Sequence, residues 1–189
     1  MKKIIVKTIA FSLTMLLAFF ATIYFALSIF APSTLANLYF RIDAKELTLK
    51  YSEKAYEKSG EISDLSILVE RSIVYDCERL VIEHATTLIN HADYEEYADN
   101  QGGAYNYYIV GSLCSYLYSS GDKITAVGTA VSYTGDYTKV NPIRVLINLC
   151  VQNGDNDCLL QIKQSLEGRE NKNQLVINDI FYIEDFIKE

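Results

Sequence analysis

Residues Ile9–Ala31 read IAFSLTMLLAFFATIYFALSIFA, a nearly unbroken apolar run inside a longer window, Thr8 to Phe40, that carries no charge. A helix rises about 1.5 Å per residue, so the run matches a hydrocarbon core of roughly 30 Å. Lys2, Lys3 and Lys7 precede it, and the first acid is Asp43. A cleavable secretory signal also begins with lysines and apolar residues, but its apolar region spans about 7–15 residues and ends at a small-x-small site. Here bulky residues persist to Phe30, and the nearest such site, Thr34-Leu35-Ala36, is a poor match. The expectation is a cytoplasmic tip at 1–8 and an uncleaved transmembrane anchor helix at 9–31. A juxtamembrane connector at 32–44 and an extracytoplasmic domain at 45–189 follow. Lysines are retained on the cytoplasmic side, so the protein is expected in the cell membrane as a single-pass chain with its C-terminal domain outside.

A second uncharged window, Asn100 to Gly121, contains Gln101, Gly102, Gly103, Asn106, serines and tyrosines. Its dense apolar part, Ile109 to Leu117, is too short to cross a bilayer and reads as a buried helix. Three of the 17 basic residues precede Arg41, so 14 face 24 acids beyond it. That part therefore carries a net charge of −10, against −7 for the whole chain. Such acidity disfavours nucleic acid, and none is expected as a partner.

Beyond the anchor, a glycine followed by an acid recurs: Ser59-Gly60-Glu61, Ser120-Gly121-Asp122, Thr134-Gly135-Asp136 and Asn153-Gly154-Asp155. Glycine just past a helix can take the left-handed conformation that closes it, and the acid can cap the next helix. Apolar residues between these breaks recur at three-four spacing, as in Leu65, Leu68, Val69, Ile73, Cys77, Leu80, Val81, His84 and Leu88. That run is read as two helices broken near Tyr75-Asp76-Cys77. Further helices are expected over 46–58, 104–119, 123–134, 142–152, 155–167 and 173–188, with Pro142 at a first helical position after Asn141. No sustained strand alternation occurs. The fold class is all-α, a transmembrane helix followed by antiparallel helical pairs.

The stretch Thr48-Leu49-Lys50-Tyr51-Ser52-Glu53-Lys54-Ala55-Tyr56-Glu57-Lys58-Ser59-Gly60-Glu61 resembles the second helix of a tetratricopeptide-like repeat and its Gly-acid exit. Thr48 and Ser52 depart from that pattern, and no proline closes the unit. Ser119-Ser120-Gly121-Asp122-Lys123 and the helix after it are similar. The resemblance covers Leu47 to about Glu167 and implies a short α-solenoid of stacked helical pairs, in a family that mostly binds peptides or partner proteins.

Nine of the fifteen tyrosines fall between Tyr94 and Tyr137. A tyrosine offers a large apolar face with a hydrogen-bonding tip, suited to gripping a partner or to filling gaps between helices. Tyr94, Tyr97, Tyr105, Tyr107, Tyr108, Tyr116 and Tyr118 are the candidate groove. Cys77, Cys114, Cys150 and Cys158 include no C-x-x-C pair. Cys150 and Cys158 each lie four residues from Gly154, so a hairpin turning there could bring them together as a disulfide. His84 and His91 are spaced seven residues apart rather than the four of a zinc helix, and no metal site is expected. In Asp93-Tyr94-Glu95-Glu96-Tyr97-Ala98-Asp99 the adjacent Glu95 and Glu96 would point apart on a helix. Nucleophile, P-loop and dinucleotide motifs are absent.

The expected function is protein–protein interaction or scaffolding at the cell envelope, with a protein partner at the membrane, no catalysis and no cofactor. Two alternatives stand beside it. One is an exported ligand-binding module or hydrolase using the acidic-tyrosine patch, which would need converging carboxylates in a closed cleft. The other is a structural accessory subunit of a membrane complex.

Overall fold

The computed structural model describes residues 2–102, 104–133, 142–170 and 172–187. Among these residues eleven helices follow one another and no strand forms. The Gly135-Asp136 break, Asn141 and Tyr137 lie outside the described residues. Two compact units divide the chain, Met1–Arg71 and Ser72–Glu189, and the division falls inside the stretch expected as one domain.

In the first unit α1 (Lys2–Phe30) contains a portion, Lys7–Phe30, long and apolar enough to cross a membrane. Its mean hydropathy reaches 2.2, and that stretch is 0% buried. The connector that follows is not extended. Pro32 opens a further helix, α2 (Pro32–Arg41), at the one position where a missing N–H costs nothing. The chain turns at Ile42 and Asp43, the latter at φ 55, and α3 (Lys45–Ser59) packs back along α2. Leu35, Ala36 and Tyr51 form the shared core, with Leu27 of α1 and Tyr39 packed against it. Thr48 and Ser52 are fully buried, and their hydroxyls donate to the carbonyls of Ala44 and Thr48 at 2.9 and 2.8 Å. Those hydrogen bonds allow polar side chains at core positions.

Gly60, at φ 66, closes α3 as its sequence suggests, and α4 (Ile62–Val74) starts two residues later. Arg71, 8% exposed, donates from Nη1 to Ser52 Oγ at 2.8 Å and from Nη2 to Asn37 Oδ1, and its guanidinium lies 5.1 Å from the Phe40 ring centroid. One side chain thus ties α4 to both α2 and α3.

The expected break near Tyr75-Asp76-Cys77 is present, with Asp76 at φ 50. Beyond it lie α5 (Glu78–Ile89), α6 (Tyr94–Gln101), α7 (Tyr105–Ser119), α8 (Lys123–Ser132), α9 (Pro142–Gln152), α10 (Asn156–Glu167) and α11 (Gln174–Ile187). The α7 helix packs on α5, α8 and α9, while α10 packs on α8, α9 and α11. Ile109, Leu113, Ile143, Leu146, Leu159 and Ile162 are among the fully buried side chains between them. Each such side chain contributes roughly 1.5–3 kcal/mol by leaving water. Asp122 and Asp155 cap α8 and α10 as their sequence predicts, accepting from the Thr125 and Cys158 N–H groups.

Candidate interaction surface

The tyrosines proposed as one groove separate into two sets. Tyr94 is buried, its hydroxyl 2.7 Å from Asn106 Oδ1, and its ring lies 6.4 Å from Tyr105 and 6.0 Å from Tyr133. Tyr97 meets Tyr105 edge-on at 5.8 Å, and Tyr133 donates to the Ile89 carbonyl. These rings join α6 to α7 as packing, and burial holds the Tyr94 hydroxyl well above the ordinary tyrosine range. Tyr118 is also buried, its hydroxyl donating to Asp155 Oδ2 at 3.0 Å. Tyr94 and Tyr118 therefore belong to the core, while the half-buried Tyr97 and Tyr105 pair with each other beside Tyr94.

The second set faces outward. Tyr107, Tyr108 and Tyr116 line an open groove of 230 Å³ with Gly111, Ser112, Ser115 and Val145. Tyr108 is 39% exposed. The floor is made of small residues because α9 comes close: a Cβ on Gly111 would stand 3.0 Å from Val145 Cγ2. Tyr116 donates to Asp76 Oδ1 at 2.7 Å, and burial, aided by that carboxylate, pushes its hydroxyl up to about 12. This bond fixes one wall of the groove.

Asp155 is a second organising residue. Besides capping α10, it accepts from Tyr118 and from the Lys123 ammonium, which also lies 5.3 Å from the Tyr118 ring centroid. Chiefly the Lys123 contact, opposed by desolvation, holds the Asp155 carboxyl below the usual range. The α9–α10 turn is thereby fastened to α7 and α8. Within that turn Cys150 donates to Cys158 with the sulfurs 2.7 Å apart, both nearly inaccessible. Hydrogen bonding to Cys158 and burial hold the Cys150 thiol above its ordinary range. Burial, opposed by a backbone hydrogen bond, pushes Cys114 up to about 12.

No protein-family model matches the chain, and no curated protein or solved structure is detectably similar to it. The site therefore rests on geometry alone.

The acidic-tyrosine patch becomes α6, with Tyr94 and Ala98 turned inward and Glu95 and Glu96 exposed. Its carboxylates thus stand on an outer helix face rather than converging on a cleft. Among the described residues no three His, Cys, Asp or Glu side chains gather as a metal site. Sequence reading missed a larger opening, 340 Å³, lined by Arg144, Ile147, Asn148, Asn178, Asp179 and Tyr182. There Arg144 pairs with the buried Asp179 at 2.9 Å. Asp179, an acid on the apolar face of α11 between Val176 and Ile183, was the available signal, since a buried carboxylate requires a partner.

Proposed function

We propose that this chain is a membrane-anchored helical protein that binds a protein partner through the groove between α7 and α9. In this reading α1 crosses the bilayer with Lys2, Lys3 and Lys7 in the cytoplasm, and the helical pairs stand outside the cell. The observation that carries the binding role is the groove, where exposed tyrosine sits beside a floor of Gly111, Ser112 and Ser115. Rigid aromatic walls give contact area at low entropic cost, and a small-residue floor admits a partner backbone or side chain.

Helical-repeat architecture is supported by the two turns Gly121-Asp122 and Gly154-Asp155, thirty-three residues apart, which close and cap successive helical pairs in the same way. An uncleaved anchor is supported by the contacts of the end of α1. Leu27 packs on the α2–α3 core, and Lys58 Nζ donates to the carbonyls of Ile29 and Phe30 at 3.1 and 2.6 Å. Cleavage beyond α1 would strip these partners from the first unit. Anchoring confines the search for a partner to the membrane plane and raises effective concentration there.

The test is a photoreactive residue at position 108 in the cells that make the protein. A discrete adduct that disappears when Ser112→Arg fills the groove supports the reading. An adduct pattern unchanged by Ser112→Arg overturns it.

A further inference from the structure

Asp179 stands where an apolar residue would serve. It lies on the buried face of α11 with Val176 and Ile183, and is 5% exposed. Burying a carboxylate is costly, and exchanging a buried ion pair for apolar side chains of similar volume is often neutral or stabilising. Packing alone therefore does not require an acid there. The acid holds Arg144 of α9, whose Nη2 donates to Asp179 Oδ1 at 2.9 Å. The Arg144 side chain is 50% exposed against 7% for Asp179. The carboxylate is buried, and the guanidinium is presented.

Arg144 lines the opening of 340 Å³ between α9 and α11, a volume at the low end of the range for small-molecule sites, about 300–1,000 Å³. Arg144 and Asn148, one turn apart, line it from α9, and Asn178 and Tyr182, also one turn apart, line it from α11. Ile147 adds apolar surface. Gln174 Nε2 donates to Asn178 Oδ1 at 2.9 Å, which leaves the Asn178 N–H groups as donors. Tyr182 is half-exposed, and Phe186 braces its ring edge-on at 4.9 Å.

Charge decides among ligands. Arg144 and Asp179 neutralise each other, and Asn148, Asn178, Tyr182 and Ile147 carry no charge, so the lining as a whole has none. A cation would meet the guanidinium. An anion would share that guanidinium with Asp179 while approaching a chain of net charge −7. A neutral polar ligand meets neither obstacle. A carboxamide and a phenol each donate and accept, as a sugar hydroxyl does, while a guanidinium offers a fixed fork of donors. The C–H face of a pyranose ring is apolar and packs on an aromatic ring, whose hydroxyl tip stays free to bond. Because Asp179 already orients the guanidinium, little side-chain freedom is left to lose on binding.

We propose that the opening between α9 and α11 binds a neutral pyranose sugar. Arg144 and Asn178 donate to its oxygens, Asn148 exchanges hydrogen bonds with a hydroxyl, and the Tyr182 ring packs on its C–H face. Asp179 is a positioning residue that fixes the guanidinium from the buried side. The site shares no residue with the groove between α7 and α9, and it does not require α1 to cross a membrane.

The test uses the full chain in phosphocholine-headed micelles, which contain no sugar. Saturation-transfer NMR is recorded with glucose, mannose and N-acetylglucosamine in turn, and circular dichroism confirms the fold of each variant. Arg144 stays in place, because removing it would strand the buried Asp179 charge. The proposal requires transfer to the ring protons of at least one of these sugars. Affinity for that sugar should fall about tenfold in Tyr182→Ala and in Asn148→Leu, the loss of one good contact, while Tyr182→Phe keeps most of it. No transfer to any of the three sugars overturns the proposal. Transfer unchanged by both Tyr182→Ala and Asn148→Leu also overturns it, because the sugar then sits elsewhere. Displacement of the sugar by an equal concentration of sodium acetate assigns the opening to carboxylates and overturns it as well.

Discussion

The Tyr24 and Tyr51 hydroxyls lie 2.6 Å apart, joining the apolar α1 helix to α3 across 27 residues of sequence. The contact makes the last turns of α1 part of the folded first unit. Tyr51→Phe keeps the ring packing and removes the bond, and is expected to cost about 1 kcal/mol. Tyr51→Ala also opens a cavity between Leu35, Ala36 and Tyr39, for roughly 3–5 kcal/mol. Urea midpoints of the full chain in micelles check both, and equal losses for the two variants would contradict the packing role of the ring.

Gly111 and Val145 set the floor of the groove. Ala at 111 gains up to about 1 kcal/mol in helix propensity but presses a methyl on Val145, an overpacking cost of roughly 1–3 kcal/mol. Gly111→Ala alone should destabilise, whereas Gly111→Ala added to Val145→Ala should stabilise. A thermal double-mutant cycle reads this sign change, and two changes of the same sign would refute the close approach.

Asp155 links acid stability to the α9–α10 turn. Its carboxyl titrates below the ordinary range when folded, so its contribution is present above the unfolded value of about 3.9 and is lost as pH falls through the lower folded value. Thermal stability should therefore hold through neutral pH and drop in acid below about pH 4. Asp155→Asn should lower stability at neutral pH by about 1–3 kcal/mol, through the charged hydrogen bonds lost, and flatten the acid slope. An unchanged acid slope in Asp155→Asn would assign the titration elsewhere.

Cys150 and Cys158 stand in sulfur contact across the turn. Refolding with glutathione disulfide should join them: two thiols become one disulfide, and one oxidant becomes two glutathione thiols. Thiol alkylation after denaturation should then modify Cys77 and Cys114 alone. Closure should add about 2–3 kcal/mol of stability. Alkylation of all four cysteines after oxidative refolding would contradict the pairing.

Sequence was most legible where punctuation is chemical. Gly121-Asp122 and Gly154-Asp155 announced their turns because a left-handed glycine and a capping carboxylate act locally. Pro142 likewise marked the start of α9. The α2 helix was not legible: Leu35, Ala36 and Tyr39 face Leu27 and Tyr51, and the apolar run that supplies Leu27 reads as a membrane span alone. Tyrosine composition could not separate wall from core either. On α7 the phase does so, with Ile109, Leu113 and Leu117 inward and Tyr108, Ser112 and Ser115 on the outer side, yet what covers Tyr94 comes from Tyr105 and from Tyr133 of a distant turn. The Arg144–Asp179 pair joins residues 35 apart, and its one local mark is an acid on the apolar face of α11, which does not name the partner.

The proposed function depends on α1 holding the helical units on the far side of a membrane. The direct measurement is labelling of Lys172→Cys, in a Cys77→Ser background, with a membrane-impermeant maleimide on intact cells, followed by carbonate extraction. The expected result is full labelling without permeabilisation, on protein that stays in the membrane pellet. Labelling only after lysis, or release of the chain by carbonate, would contradict an anchored domain outside the cell.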